Sequence, residues 1–367
     1  MTRPSAARST PFGRASFLLL ASLASSGCAI DTEQDPATAI PDAPTPAVKT
    51  STTGSRSYAF TLDRYGRLMM QVDTWPGLNM WPASQPVTLL GAPTAVSWGK
   101  DRVDVFALTT AGMLQHYGTA DAGATVYADN WGSMPGVNFD TSASCEVASW
   151  GVGRLDVFCV AWVTDRQRIV HRWYDSSTGG GWELLPALAW NGRFQTTGVT
   201  AASWGRGRLD VWLIDRFTSP PTMRHAGTSA ANGTGGWTWD VWSVGAFTSD
   251  IDAMANGKGE YQLAGRCNDD VTGRPMMCHW TYVDWFNDYK SYGTYFGVEK
   301  SELRFDWSSA RKPSIVAVGG GYPRYAIVDK CRLTILDQSR TLPFSNLVLA
   351  AQYPVDCSTQ SVVDQAF

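Results

Sequence analysis

Ser149-Trp150-Gly151-Val152-Gly153-Arg154-Leu155-Asp156-Val157-Phe158 decides the fold, because the chain carries its pattern three times. Its counterparts begin at Ser97-Trp98-Gly99 and Ser203-Trp204-Gly205, 52 residues before and 54 residues after, and continue as Arg102-Val103-Asp104-Val105-Phe106 and Arg208-Leu209-Asp210-Val211-Trp212. The histidines keep the same time. There are four, His116, His171, His225 and His279, at intervals of 55, 54 and 54 residues. Behind them comes a glycine-rich aromatic stretch: Asn130-Trp131-Gly132, Gly180-Gly181-Trp182 and Gly235-Gly236-Trp237. A unit of this length cannot bury its apolar face alone and must pack on its neighbours.

Weaker copies extend the array in both directions. Asn256-Gly257-Lys258-Gly259-Glu260-Tyr261 leads to His279, and Asp306-Trp307 with Ser314-Ile315-Val316-Ala317-Val318 opens a sixth copy. At the front, Arg56-Ser57-Tyr58-Ala59-Phe60 and Gly66-Arg67-Leu68 form a first copy with Gln71 in the histidine slot. Within each copy, short apolar runs are punctuated by Gly, Asp, Asn and Pro about every 8–12 residues, which is the spacing of short strands. No stretch after residue 30 carries a helical period. The expected class is therefore all-β: a β-propeller of four-stranded blades, residues 51–367, with six repeats detected. A ring must close, and the run Leu342-Pro343-Phe344-Ser345-Asn346-Leu347-Val348-Leu349 is expected to pair in the first blade.

The start of the chain reads as an address and a spacer. Residues 1–27 hold Arg3, Arg8 and Arg14 and then an apolar stretch from Phe17 to Leu23, the pattern of a signal peptide and too short to span a bilayer. Leu23-Ala24-Ser25-Ser26-Gly27-Cys28 is similar to a bacterial lipobox, with Cys28 as the lipidated residue; Ser25 departs from the aliphatic residue usual there, so ordinary signal cleavage is the other reading. Residues 28–50, rich in Pro, Ala and Thr, form a tether. The expected location is the outer membrane or cell surface as a lipoprotein, or otherwise secreted, with membrane contact only through the lipid. Seven cysteines minus Cys28 leave six for an exported chain: Cys145, Cys159, Cys267, Cys278, Cys331 and Cys357. A hairpin turning at Gly151 to Gly153 sets Cys145 opposite Cys159. Cys267 and Cys278 flank Asp270-Val271-Thr272-Gly273 in the same way, and Cys331 and Cys357 pair by elimination, pinning the closure of the ring.

Composition removes other classes. Of 367 residues, 44% are hydrophobic and only 17% charged, which rules out a disordered chain. Without residues 1–27 the chain has 27 bases against 33 acids, so nucleic acid is not an expected partner. Four histidines in equivalent slots of different blades lie too far apart to share one ion, so neither a metal nor another cofactor is expected. No Gly-x-Ser-x-Gly, His-Glu-x-x-His or Asp-box pattern is present, so no enzyme is expected. Each repeated Asp is symmetrically placed to face its His on the adjacent strand: Asp104 with His116, Asp156 with His171, Asp210 with His225. In the fifth copy the cysteine register puts His279 opposite Arg266 instead. Such pairs either stabilise the blade from inside or contact a ligand. The 17 tryptophans likewise either fill the wedge between blades or stack on sugar rings.

The Ser-Trp-Gly-x-x-Arg-x-Asp-Val-Phe pattern, followed by Gly-x-Leu-x-His and a Gly-Trp segment, resembles the repeat of the PLL-like bacterial lectins. That resemblance implies a propeller binding fucose or O-methylated sugars in pockets between blades. Characterised members have seven blades, which leaves a ring of six or seven. Carried onto this chain, it nominates Trp98, Trp131, Trp150, Trp182, Trp204, Trp237, His116, His171 and His225 as sugar contacts. The expected activity is non-catalytic recognition of glycans at several weak sites, with a protein-interaction scaffold as the alternative and a glycan-processing hydrolase third.

Overall fold

The computed structural model describes residues 58–63, 65–72, 79–82, 84–98, 102–120, 125–187, 194–242, 247–255, 260–268, 275–283, 294–296, 314–318, 322–329, 332–338, 347–354 and 364–366. The expected signal peptide and tether, Cys28, Cys331 and Cys357 lie outside them, as do residues 256–259 and 306–307 of the weaker copies.

The described strands form six sheets, each antiparallel, and no helix. Blade 2 shows the plan: Leu89–Val96, Val103–Thr109, Leu114–Thr119 and Tyr127–Gly132 pair in chain order from the innermost strand outward. Blade 4 repeats it with Thr200–Gly205, Arg208–Asp215, Thr222–Thr228 and Thr238–Trp242. In blade 3 the innermost position is shared by Asn138–Phe139 and Glu146–Ala148, both on Arg154–Val163, followed by Arg166–Asp175 and Gly179–Leu184. Blade 5 runs from Phe247–Ala255 through Glu260–Asn268 and Pro275–Val283 to Thr294–Phe296. Blade 6 comprises Ser314–Val318, Tyr322–Asp329, Arg332–Gln338 and Leu347–Pro354. The second strand of each intact copy is buried on both faces, which is why Val103–Thr109 is apolar except for the buried Asp104 and Thr109 and shows no alternation with exposed residues.

Closure differs from the expectation. Leu347–Pro354 is the outer strand of blade 6, and the last strand, Asp364–Ala366, supplies the innermost strand of blade 1 by pairing with Tyr58–Leu62, which leads on to Leu68–Val72 and Asn79–Met80. The innermost strands then touch in sequence around the ring and back to the start. Six blades, not seven, close it.

A polar girdle joins these inner strands. Thr94 Oγ1 donates to Glu146 Oε1 at 2.9 Å and accepts from Val147 N. Thr200 Oγ1 lies 3.4 Å from Glu146 Oε2 and 3.1 Å from Asp252 Oδ1 and accepts from Ala253 N, and Asp252 Oδ2 accepts from Ile315 N at 2.8 Å. All four of these side chains are fully buried, so the bonds satisfy groups that would otherwise be costly inside the ring. They are also one repeat slot, the residue opposite Phe106, Phe158, Trp212 and Ala264 respectively. Asp364, opposite Phe60, and Ser314, opposite Ala326, hold that slot in blades 1 and 6.

The Ser-Trp-Gly motif is a turn. Ser149 Oγ accepts from Gly151 N at 3.1 Å and Ser203 Oγ from Gly205 N at 3.2 Å, a side chain standing in for a backbone turn acceptor. Two residues on, Gly153 and Gly207 take φ of 82° and 78°, a region that penalises any Cβ. The hairpin this starts brings Cys145 and Cys159 opposite each other, with Cα atoms 4.2 Å apart in a disulfide. Cys267 and Cys278 are also bridged, but diagonally: Cys267 faces Met276 and Cys278 faces Gly265.

Candidate functional site

Each intact copy builds one charged relay from the motif upward. Arg154 lies over the Trp150 ring, 4.4 Å from its centroid, and grips Asp156 with Nε at 2.8 Å and Nη2 at 2.5 Å. Asp156 Oδ1 lies 2.8 Å from His171 Nε2, and His171 Nδ1 lies 2.8 Å from Glu183 Oε1 on the outer strand. Blade 2 repeats this as Trp98, Arg102, Asp104, His116 and Asp129, with histidine contacts of 2.9 and 2.7 Å. Blade 4 repeats it as Trp204, Arg208, Asp210, His225 and Asp240, with 2.7 and 2.8 Å. Burial alone lowers a histidine pKa, but hydrogen bonds and attraction from two carboxylates outweigh it, and His116, His171 and His225 are all raised.

The intrablade Asp–His bonds expected from the sequence are present, with a different register. His116 stands opposite Phe106, His171 opposite Phe158 and His225 opposite Trp212, each two residues from its aspartate. A two-residue stagger keeps both side chains on one face of the sheet and within diagonal reach. By the same register His279 faces Ala264, not Arg266, and the residue opposite Phe60 in blade 1 is Met70, not Gln71. Blade 5 has Gln262 in the aspartate position and Thr294 opposite His279, so neither carboxylate is there; burial pushes His279 down to about 4.

The histidines are buried inside their blades. Trp150 packs under Gly233 of blade 4, where even a Cβ would collide with the indole. Trp204 is stacked on Tyr261 of blade 5, with centroids 5.0 Å apart, and Tyr261 donates to Asp210. Trp98 packs into the cluster between blades 2 and 3. The three later tryptophans, alike in sequence, occupy three different positions. Taking the outer carboxylate as reference, Trp131 follows Asp129 by two residues, Trp182 immediately precedes Glu183, and Trp237 precedes Asp240 by three. Trp237 is buried against Phe158 and His171 of blade 3 and donates to Glu183 Oε1 at 2.9 Å, so it closes the seam between blades 3 and 4.

The seam between blades 2 and 3 is built differently. Trp131 covers Phe106 and His116 from its own blade and donates from Nε1 to Asp129 Oδ2 at 2.9 Å. From blade 3, Arg172 reaches across with its guanidinium 5.1 Å from the Trp131 ring and 5.2 Å from the Trp182 ring. Its Nη1 donates to the carbonyls of Trp173 and Gly181, both at 3.0 Å, while its Nε makes no hydrogen bond. Tyr174, 39% exposed, lies 6.2 Å from Trp131, and the Asp129 side chain is 54% exposed. Burial lowers the pKa of Arg172 while Asp129 raises it, the first effect being the larger. Two indoles, a tyrosine, a half-buried cation and an accessible carboxylate thus meet at one inter-blade edge. Aromatic faces stack on apolar faces of a ring, and a guanidinium beside a carboxylate donates to and accepts from hydroxyls.

Trp131 and Trp182 are brought together over Arg172; Trp98 packs into the same seam but under Arg102, and Trp150, Trp204 and Trp237 lie in the other clusters. Sequence reasoning missed Arg172. Its signal is variation: the residue after the histidine is Tyr117, Arg172, Ala226 and Trp280 in successive copies.

No family model and no curated protein sequence matches the chain. Its fold does match solved structures. A mutant of Aleuria aurantia lectin in complex with alpha-methyl-L-fucoside aligns with a TM-score of 0.58 at 13% identity, over 86% of this chain and 97% of that one. A second structure of the lectin, described as a six-bladed β-propeller with a novel fucose recognition mode, gives 0.56 at 14% identity over the same shares. BP39L lectin from Burkholderia pseudomallei gives 0.54 at 15% identity, over 81% of each chain. The chain is therefore similar in fold to six-bladed lectin propellers.

Proposed function

We propose that the protein is a non-catalytic glycan-binding propeller, and that the seam between blades 2 and 3 takes a neutral sugar of the fucose type. The observation that carries this reading is Arg172, held half-buried across the Trp131 and Trp182 rings beside the accessible Asp129. The rings supply the stacking platform, Arg172 and Asp129 bond the hydroxyls, and their opposite charges leave the seam suited to an uncharged polyol. The fold likeness to fucoside-binding lectins supports the sugar class. Most glycoside hydrolases use two facing carboxyl groups, whereas among the described residues of this seam Asp129 alone presents an exposed one.

The test is a glycan array with the intact chain, followed by calorimetry with methyl α-L-fucoside. Arg172→Ala is expected to weaken binding about 10- to 100-fold, the worth of hydrogen bonds to a charged group, with the melting temperature unchanged. Absence of binding to every sugar on the array defeats the reading. An exported, Cys28-anchored location goes with this proposal, supported by the signal-like residues 1–27 and by two disulfides in the fold. Cys28→Ala is expected to move the protein from the membrane fraction to the soluble one; retention in the membrane rejects the anchor.

A further inference from the structure

We infer that His116 is a positioning residue for this seam: as an imidazolium it fixes Asp129 and, through Asp129, the Trp131 indole against Arg172, so ligand binding weakens when His116 loses its proton. The inference rests on the glycan reading only for its ligand, since the clamp itself is read from the protein alone.

Both ring nitrogens of His116 face carboxylate oxygens, Nε2 toward Asp104 and Nδ1 toward Asp129. Two N–H donors satisfy both sides, whereas a neutral imidazole has one N–H and turns a lone pair toward the other carboxylate. The proton that stays is the one on Nε2. Asp104 is fully buried and pinned by Arg102 and the Tyr127 hydroxyl, so it cannot turn away, and a ring lone pair facing its oxygen would be an unrelieved repulsion inside the blade. Asp129, by contrast, can turn to water. Trp131 Nε1 then loses the acceptor that orients its ring, and the platform beneath Arg172 loses its anchor.

The groups around His116 do not compete for this role. On its own sheet it meets Asp104, Asp129, the Tyr127 ring and the Gln115 amide, which donates to the backbone carbonyls of Asp129 and His116. From blade 3 come Arg172 and Tyr174, both against Trp131. Tyr127 is raised above its ordinary range by burial and by Asp104, so it stays protonated while His116 titrates. Burial works against ionisation of Asp129, but its bonds to His116 and Trp131 prevail and hold it below the usual carboxylate range. Binding is therefore expected to hold below the raised pKa of His116 and to fall as pH climbs through it, an alkaline limb. In blade 3 the same relay has another readout, because Glu183 is held by Trp237 and by Gly235 N of the next blade. There the histidine ties two blades together and no open seam depends on it.

The test has two arms. In nitrogen NMR of the intact protein between pH 6 and 10, His116, identified by loss of its signals in His116→Gln, is expected to carry two ring protons at pH 7. The Trp131 indole N–H, identified with Trp131→Phe, is expected to shift with the same midpoint as the His116 titration. In calorimetry with methyl α-L-fucoside the affinity is expected to fall about tenfold across that midpoint. Asp129→Asn, at a half-exposed position that leaves the buried Asp104–His116 pair intact, is expected to bind weakly and without the alkaline limb. A His116 that carries one ring proton throughout, or a Trp131 signal indifferent to its titration, overturns the inference. If the fucoside binds at no pH, the glycan reading fails and the two NMR titrations alone decide the clamp.

Discussion

His279 differs from the other three histidines by what surrounds it. Where blades 2 to 4 have aspartate, blade 5 has Gln262, and where they have an outer carboxylate it has Thr294. The copies therefore respond to pH with opposite signs. For His116, His171 and His225 the folded pKa is raised above 6.5, so their stabilisation is complete below that value and is lost as pH climbs through the raised pKa. For His279 the folded value is about 4, so its contribution is complete above 6.5 and is lost as pH falls from 6.5 toward 4, by about 3 kcal/mol at most. Melting temperature measured against pH is expected to fall on both sides of neutrality. His279→Gln is expected to flatten the acid side and leave the alkaline side alone; an unchanged acid side contradicts the assignment.

At the scale of strands and hairpins, the sequence was legible wherever one motif closes one short turn. Ser-Trp-Gly fixes the first hairpin of each intact copy, so the Cys145–Cys159 facing followed directly from counting. The second hairpin was misplaced by two residues because bonded side chains were taken to face each other directly, whereas Asp and His meet on the diagonal. In blade 2 the pairing is centred on Ala111, with Gly112 at φ 67°, one residue beyond the centre implied by matching Asp104 to His116. The face was still right, since a shift of two preserves the alternation of side chains. The outer strands were not legible. The loops leading to them, from Thr119 to Tyr127, Asp175 to Gly179 and Thr228 to Thr238, differ in length, so similar Gly-Trp segments land at different registers. That is why Trp131 reaches the open seam while Trp237 fills a closed one. Arg172 was invisible for the opposite reason: a search for what repeats passes over the residue that distinguishes one blade.

At the scale of the whole molecule, the blades are joined by apolar clusters and by the inner girdle. Thr200 sits at the middle of that girdle, between Glu146 and Asp252, and accepts from Ala253 N. Thr200→Val keeps the shape and removes the hydroxyl, leaving a buried N–H and two carboxylates each short of one contact. A loss of about 1–3 kcal/mol is expected, read as a lower urea midpoint at unchanged slope. An unaltered midpoint would mean that the clusters between blades carry the ring alone.

The slot that carries the girdle reads Asp364, Thr94, Glu146, Thr200, Asp252 and Ser314 in order around the six blades, acid and alcohol by turns. A necklace strung from two kinds of bead in strict alternation closes only on an even number. A ring of seven would seat two acids or two alcohols side by side at one joint, replacing a hydroxyl-to-carboxylate bond there with a pair of like groups. The working unit of this circle is thus a couple of neighbouring blades, and the molecule is three couples. Duplication or loss of a single blade breaks the rhythm, whereas duplication or loss of an adjoining pair keeps it.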